Sequence, residues 1–421
     1  MNRRTFAFWS VAYVLLMMLL GGTMPSPLYV VYQRLWHFPA STLTLIYSVY
    51  AIGVIVALLF FGRLSDTIGR KQVLIPATIL MALSALAFMF AQSVAWLIVG
   101  RILMGLGIGL TTSTAAAALV DLHPVGDSRR ALLVSSVVTV VGLALGPLLA
   151  SVFVQFVPTP NLWSFLVYLI LLAIGFIGIW AIPGGRPATT QKLSFRPQFP
   201  LNNPSYVLAV ATVFCSYATM GMGSSLVPSF LISLLHVSNS ILGGVILFFL
   251  FVLSSVAQFV FRRFSHHVSI SGGLLVMIVG LLVFLASLST QSLALFLLGI
   301  ALLGIGQGTT FMGSAALVGS TATPENRGAI MSSYFTIGYI GIGLPVLGLG
   351  FAASSLGLFG ATAAFVVVFG LIYLIVAIVG WLGRKSGETP DPVEVHSLTS
   401  DIEEVLEESL RYQNTRVADL D

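Results

Sequence analysis

Hydrophobic positions along this chain come in long, nearly unbroken runs rather than in one-sided stripes or alternating pairs. Runs of about 20 apolar residues match the ~30 Å hydrocarbon core of a bilayer at the helical rise. Twelve such spans are predicted, roughly 6–33, 41–61, 72–92, 94–120, 131–157, 162–182, 205–234, 239–261, 270–290, 292–318, 329–353 and 356–382. Inside lipid every backbone group needs an internal partner, so these spans are read as helices. The predicted fold is an all-α polytopic membrane protein. The most polar stretch of the first half is Gly62-Arg-Leu-Ser-Asp-Thr-Ile-Gly-Arg-Lys71, which separates the second and third spans. It reads as a tight turn, with Gly62 and Gly69 allowing close approach and positive φ. Asp66 stands among Arg63, Arg70 and Lys71, placed to pair with them or to cap a neighbouring helix.

Composition supports a bilayer as the solvent. Of 421 residues, 57% are hydrophobic and 8% charged, against about 25% charged in soluble domains. The cations give the layout a direction. Arg3, Arg4, Arg63, Arg70, Lys71, Arg129, Arg130, Arg186, Lys192, Arg196, Arg262, Arg263, Arg327, Arg384 and Lys385 share one side, and Arg34 alone lies in a loop on the other. By the positive-inside rule both termini are cytoplasmic, in a multi-pass protein of the cell inner membrane or plasma membrane. The net charge of +5 thus reports topology, and no nucleic-acid partner is expected. The apolar run after Arg3-Arg4 is too long for a signal peptide and is read as a retained span.

Little in the chain suggests bond-making chemistry. Cys215 is alone, which excludes a disulfide framework within one chain. There is no phosphate-binding glycine loop and no zinc signature, and His266-His267 lacks carboxylate or cysteine partners. No cofactor, no metal and no enzymatic activity are expected, since no nucleophile, base and orienting group converge.

The chain repeats itself at a lag near 200 residues. Phe61-Gly-Arg-Leu-Ser-Asp66 matches Phe261-Arg-Arg-Phe-Ser-His266, and Gly100 through Gly109 matches Gly299 through Gly308. Asp127-Ser-Arg-Arg-Ala131 through Pro147 matches Glu325-Asn-Arg-Gly-Ala329 through Pro345. Residues 1–182 and 205–383 therefore form two six-helix bundles related by a pseudo-twofold, with a proline-rich linker at 183–204. Duplicated membrane halves are the architecture of alternating access about a midplane site. Residues 384–421 form an acidic cytoplasmic tail; Ser400-x-x-Glu403 is a capping box, and a short amphipathic helix is expected at about 401–412.

Several motifs together resemble the major facilitator superfamily, and within it the twelve-span drug:proton antiporter family. The 62–71 turn is similar to the superfamily's first loop motif at each fixed position: Gly62, Asp66, Gly69, Arg70 and Lys71. Arg101 with Gly105, Gly107 and Gly109 resembles the span-4 motif. Gly142-x-x-x-Gly146-Pro147 resembles the span-5 antiporter motif, and Pro25-Ser-Pro27 resembles the proline pair of span 1. The resemblance implies that the loop is a cytoplasmic latch, its Asp66 facing the N-terminus of span 11, with Asp121 placed to pair with Arg70. It also implies proton-coupled efflux of small amphipathic solutes or drugs. The second half departs from the pattern, with His266 and Ser269 where Asp66 and Gly69 stand.

Arg101 is the most informative single residue. Span 4 runs inward, so Arg101 lies ~10 Å below the outer surface at 1.5 Å per residue. A cation there costs ~2.5–3.5 kcal/mol on insertion scales and marks a pathway, unless carbonyls satisfy it or it snorkels outward. Its two functional roles are modulation of proton coupling or anchoring of an anionic substrate. The only carboxylates before residue 384 are Asp66, Asp121, Asp127 and Glu325, all at the cytoplasmic side. No acid sits mid-span where a proton carrier is expected, so a facilitator or symporter of a small organic anion or sugar anchored by Arg101 is one alternative. A non-transporting membrane receptor or scaffold with the same fold is another. Tyr29, Tyr47, Tyr50, Thr111, Gln258, Gln307, Phe311, Tyr334 and Tyr339 are read as cavity-facing, with helix or lipid contact the competing reading. The glycine pairs 105/109, 142/146 and 304/308 signal close helix packing, and Pro147 and Pro345 signal kinks. The partners expected are a small-molecule substrate, protons as coupling ion and the lipid bilayer, with the protein a monomer.

Overall fold

The computed structural model describes residues 3–61, 64–180, 182, 198–233, 239–323 and 326–386. Gly62, the linker from 183 to 197 and the tail helix expected at 401–412 lie outside the described residues, as does the side chain of Asp66.

The described chain is helical throughout. It runs α1 (Arg3–Thr23), α2 (Pro25–Trp36), α3 (Ala40–Phe61), α4 (Leu64–Ile68), α5 (Arg70–Met89), α6 (Val94–Leu122), α7 (Ser128–Phe156) and α8 (Pro160–Ile179). It continues with α9 (Pro204–Ser233), α10 (Ser240–Val260), α11 (His266–Thr290), α12 (Leu293–Ser320) and α13 (Arg327–Ser386). Among the described residues, eleven segments are long and apolar enough to cross a membrane. Their outward faces carry Leu, Ile, Val and Phe in numbers that water would not tolerate; Ile177, for instance, is 70% exposed.

Two details differ from the sequence expectation, and a third refines it. The first span is two helices, α1 and α2, joined at Met24. Pro25 opens α2 at a position whose N–H a helix does not use, and Met24 N still bonds Leu20 O at 3.0 Å. The turn at 62–71 contains the single helical turn α4. The last segment, Gly328–Gly383, runs 56 residues and holds two helices that meet at a kink, as spans 329–353 and 356–382 predict. That length is close to three bilayer cores, and the chain breaks direction at Gly357, where φ 69° and ψ 168° leave the helical region. A residue with a Cβ resists that φ.

Two sets of helices, α1–α8 and α9–α13, meet along two lines: α3 against α13, and α7 against α10. Along the first, Ser48 Oγ donates to Gly343 O at 2.9 Å and Ser332 Oγ to Leu58 O at 3.0 Å. Along the second, a Cβ on Gly244 would lie 2.7 Å from Pro147 O, and Ser240 N donates to Gln155 Oε1 at 3.1 Å. Small residues and hydroxyls make both lines, because backbones can only approach this closely where side chains are minimal.

Candidate functional site

Arg101 sits on the third turn of α6 and is 1% exposed. Snorkelling does not account for it. Its Nε donates to the Tyr29 hydroxyl, and its Nη1 to Gly22 O at 3.1 Å and Met104 Sδ at 3.3 Å. Three tyrosine rings surround the guanidinium, with centroids 5.1 Å (Tyr29), 5.2 Å (Tyr47) and 5.6 Å (Tyr50) from its central carbon. Ring faces carry partial negative charge and stabilise a cation at this range. Nη2 remains buried without a hydrogen-bond partner. A guanidinium offers five N–H donors, so this one keeps donor capacity unused.

The surrounding tyrosines lead across the line between the two helix sets. Tyr47 lies beside Ser224 of α9, whose buried hydroxyl makes no hydrogen bond among the described residues. The Tyr50 ring meets Tyr339 of α13 edge-on, 6.1 Å between centroids. Tyr339 in turn meets Tyr217 of α9 at 5.6 Å, and Tyr217 stacks on Phe311 of α12 at 5.9 Å. Tyr50, Tyr217, Phe311 and Tyr339 are each only half-buried although they meet between the helix sets. They therefore border interior space as well as one another. Tyr217 and Ser224 were not singled out from sequence; their spacing on α9 matches any lipid-facing helix, and only the approach of α13 and α3 reveals them.

The other candidates fall in different places. Gln307 lies on α12 with Oε1 accepting from Ser254 Oγ, which also accepts from Gln258 Nε2 at 3.4 Å. Tyr334 is fully buried and bonded to Ser314 Oγ at 2.8 Å, tying α13 to α12. Thr111 is fully buried too, its hydroxyl donating to Gly107 O of its own helix at 2.8 Å. Neither hydroxyl is directed at Arg101 or the ring cluster by these bonds.

At the end of the bundle carrying the basic loops, Gly69 takes φ 103° at the start of α5. Arg70 Nε donates to Asp121 Oδ2 at 3.2 Å and Nη1 to Ser65 Oγ at 2.6 Å, while Arg4 Nη2 donates to Asp121 O at 3.0 Å. Lys71 Nζ donates to Trp180 O at 3.0 Å and lies 5.0 Å from that indole's centroid. These bonds join α1, α5, α6 and the end of α8, all within one helix set.

The glycine pairs are packing surfaces. A Cβ on Gly53 of α3 would lie 2.6 Å from Ile102 O and 3.0 Å from the Gly105 Cα, and Gly109 faces Val54 O and Ala57. Gly142 faces Leu16 O at 2.7 Å, and Gly146 faces Leu20 and Thr23, fixing α7 on α1. Pro147, inside α7, turns its carbonyl to Gly244 of α10. The glycines of α6 thus hold Arg101 against the tyrosines of α3.

Long apolar helices in two sets, meeting over a buried cation and a ring cluster, define a polytopic membrane protein. The chain belongs to the Major Facilitator Superfamily, whose family model matches residues 11–345. Among curated proteins it is similar to "Multidrug resistance protein MdtL" of Citrobacter koseri, 29% identical over 157 residues. That match covers 36% of this chain and 38% of the relative. The MdtL of Escherichia coli O81 is 31% identical over 145 residues, covering 34% and 36%. The aligned region thus spans little more than a third of these relatives' length. Among solved structures, a bacterial homolog to the human lysosomal transporter Spinster, inward-facing and unoccupied, aligns at TM-score 0.71 and 14% identity, covering 93% of this chain and 99% of that one. The human organic anion transporter MFSD10 (TETRAN) aligns at 0.65 and 17%, covering 90% and 100%. At these identities the solved structures speak for the fold.

Proposed function

We propose that the protein is a secondary transporter that exports small amphipathic solutes or drugs by alternating access, with protons as the coupling ion. The observation that carries the reading is the partly open ring cluster at the line between two helix sets, with a buried arginine beside it. The resemblance to multidrug resistance proteins supports export. The break at Gly357 supports counting the last segment as two spans, giving twelve in two pseudo-twofold bundles, 1–182 and 205–383, joined by the 183–204 linker. The charge distribution supports a place in the cell inner membrane or plasma membrane with both termini and the acidic tail cytoplasmic, and no nucleic-acid partner; the protein is read as a monomer.

In this reading the two bundles rock about the α3–α13 and α7–α10 lines, exposing the ring cluster to each side in turn. Gly62, Asp66, Gly69, Arg70, Lys71 and Asp121 form the cytoplasmic latch, and Arg101 with Tyr29 couples or binds. Gln307 and Tyr334 tie α12 to α10 and α13, and Thr111 is satisfied within α6. Uptake into proteoliposomes, with and without an imposed pH gradient, tests it for wild type, Arg101→Ala and Asp66→Asn. Gradient-driven flux that disappears in Arg101→Ala is expected. Flux indifferent to the gradient would replace antiport with facilitation, and no flux of any solute would leave a receptor or scaffold.

A further inference from the structure

Among the described residues no carboxylate pairs with Arg101. Asp121 pairs with Arg70 and Asp127 with Arg130, at the ends of α6 and α7. Tyrosines, a carbonyl and a thioether surround the guanidinium, and all are neutral acceptors. Buried cations are normally paired, and a purely structural arginine would be expected to spend all its donors. Here Nη2 is buried with none spent. A guanidinium of this kind is a fork that fits an oxyanion with two parallel hydrogen bonds.

The neighbouring surface limits what else that anion carries. The tyrosine at 5.6 Å from the guanidinium, Tyr50, is the one that touches Tyr339 across the two helix sets. Movement of α3 away from α13 would uncover Tyr50 and the half-buried faces of Tyr339, Tyr217 and Phe311 together, and a turn of the Tyr50 side chain would then open one side of the guanidinium. Tyr217 stacks on Phe311 and meets Tyr339 edge-on, a ring-lined surface suited to a ring rather than to a flexible or strongly hydrated solute. One guanidinium and no second cation within the spans balance a single negative charge. A dianion would leave an unpaired charge in a low-dielectric site, and a cation would be repelled.

We propose that the solute is a monoanionic aromatic acid, its oxyanion held by the Arg101 fork and its ring set against Tyr217, Phe311 and Tyr339. This rests on the transport reading above and assigns its substrate class. In the state described here the fork is closed over by Tyr29, Tyr47 and Tyr50, and binding follows separation of α3 from α13 together with a turn of the Tyr50 side chain.

The test uses the full chain in detergent and in proteoliposomes, with three probes of one shape: naphthoate, naphthamide and naphthylmethylammonium. Wild type is expected to bind naphthoate roughly ten-fold more tightly than naphthamide, the scale of one charge-assisted hydrogen-bonded pair, and to bind the ammonium least. Arg101→Gln is expected to abolish that preference while still binding the amide. Arg101→Lys, which keeps the charge but loses the fork, is expected to bind the acid several-fold more weakly, and serves alone if the glutamine variant does not fold. Tyr217→Leu should weaken acid and amide alike and leave their ratio intact. Equal or tighter binding of amide or ammonium by wild type, no binding of naphthoate, or a preference that survives both Arg101 variants would overturn the assignment. Flux of the amide or ammonium without acid preference leaves transport standing and removes the substrate class. The expected binding pattern with no flux of any probe keeps the class and removes transport.

Discussion

Arg101 Nη1 donates to a thioether where an amide oxygen would be the stronger acceptor. Met104 is buried on the same face, one turn along α6. Met104→Gln should therefore be tolerated and should raise the thermal midpoint, by the equivalent of about 1–2 kcal/mol for a bond to a charged group. Thermal-shift measurement on purified protein checks it; a lower midpoint would mean that packing at 104 outweighs the new bond. That Arg101 lies buried within its span was legible from hydropathy alone, since a cation inside an apolar run is conspicuous. Its partners were only half legible. Tyr29, Tyr47 and Tyr50 could be named as candidates, but Gly22 O and the role of Met104 depend on the register of α1, α3 and α6, which spacing within one helix does not encode. Thr111 and Tyr334 show the converse: polar residues in spans, each satisfied by a helix carbonyl or a neighbouring hydroxyl.

At the level of elements, the helices themselves were read closely because length and hydropathy determine them, while their joints were not. Met24 interrupts an apolar run without any change in polarity, so α1 and α2 read as one span, whereas the bend of α13 at Gly357 falls within a few residues of the boundary read between spans 329–353 and 356–382. The basic turn was legible as a motif, and the geometry adds that Arg70 and Asp121 hold α5 to α6. The two side chains are 20% and 57% exposed, which places the pair in the range worth about 0–1 kcal/mol. Asp121→Asn should then lower the thermal midpoint only slightly, by less than the equivalent of about 1 kcal/mol, and the difference should shrink as salt is raised. Melting curves at low and high salt check this. A large loss at both would show that the Arg4 and Ser65 bonds depend on the carboxylate and that the cluster acts as one network.

For the whole molecule, the contact between the helix sets is made by glycines, serines and threonines, and such surfaces can part and close with little repacking. The glycine repeat was visible in the sequence. Which glycine meets which helix was not, since Gly244 and Gly350 face Ser151 and Thr44 nearly a hundred residues or more away. A Cβ on Gly244 would lie 2.7 Å from both the Ser151 Cβ and Pro147 O, so cysteines at 151 and 244 bridge once α10 has moved about 1 Å off α7. Oxidising Ser151→Cys/Gly244→Cys should arrest flux, and reduction should restore it. Cys215 is fully buried and does not compete. Unchanged flux through the bridged protein would mean that α7 and α10 travel together. The uncompensated guanidinium of α6 also has an electrical consequence. An empty carrier presents one positive charge to the membrane field and a loaded one presents none, so each turnover displaces charge. At 100 mV that work is about 2.3 kcal/mol per charge. A cell that is negative inside would drive an anion outward through this protein by voltage alone, and naphthoate efflux should follow a potassium diffusion potential even when both sides share one pH.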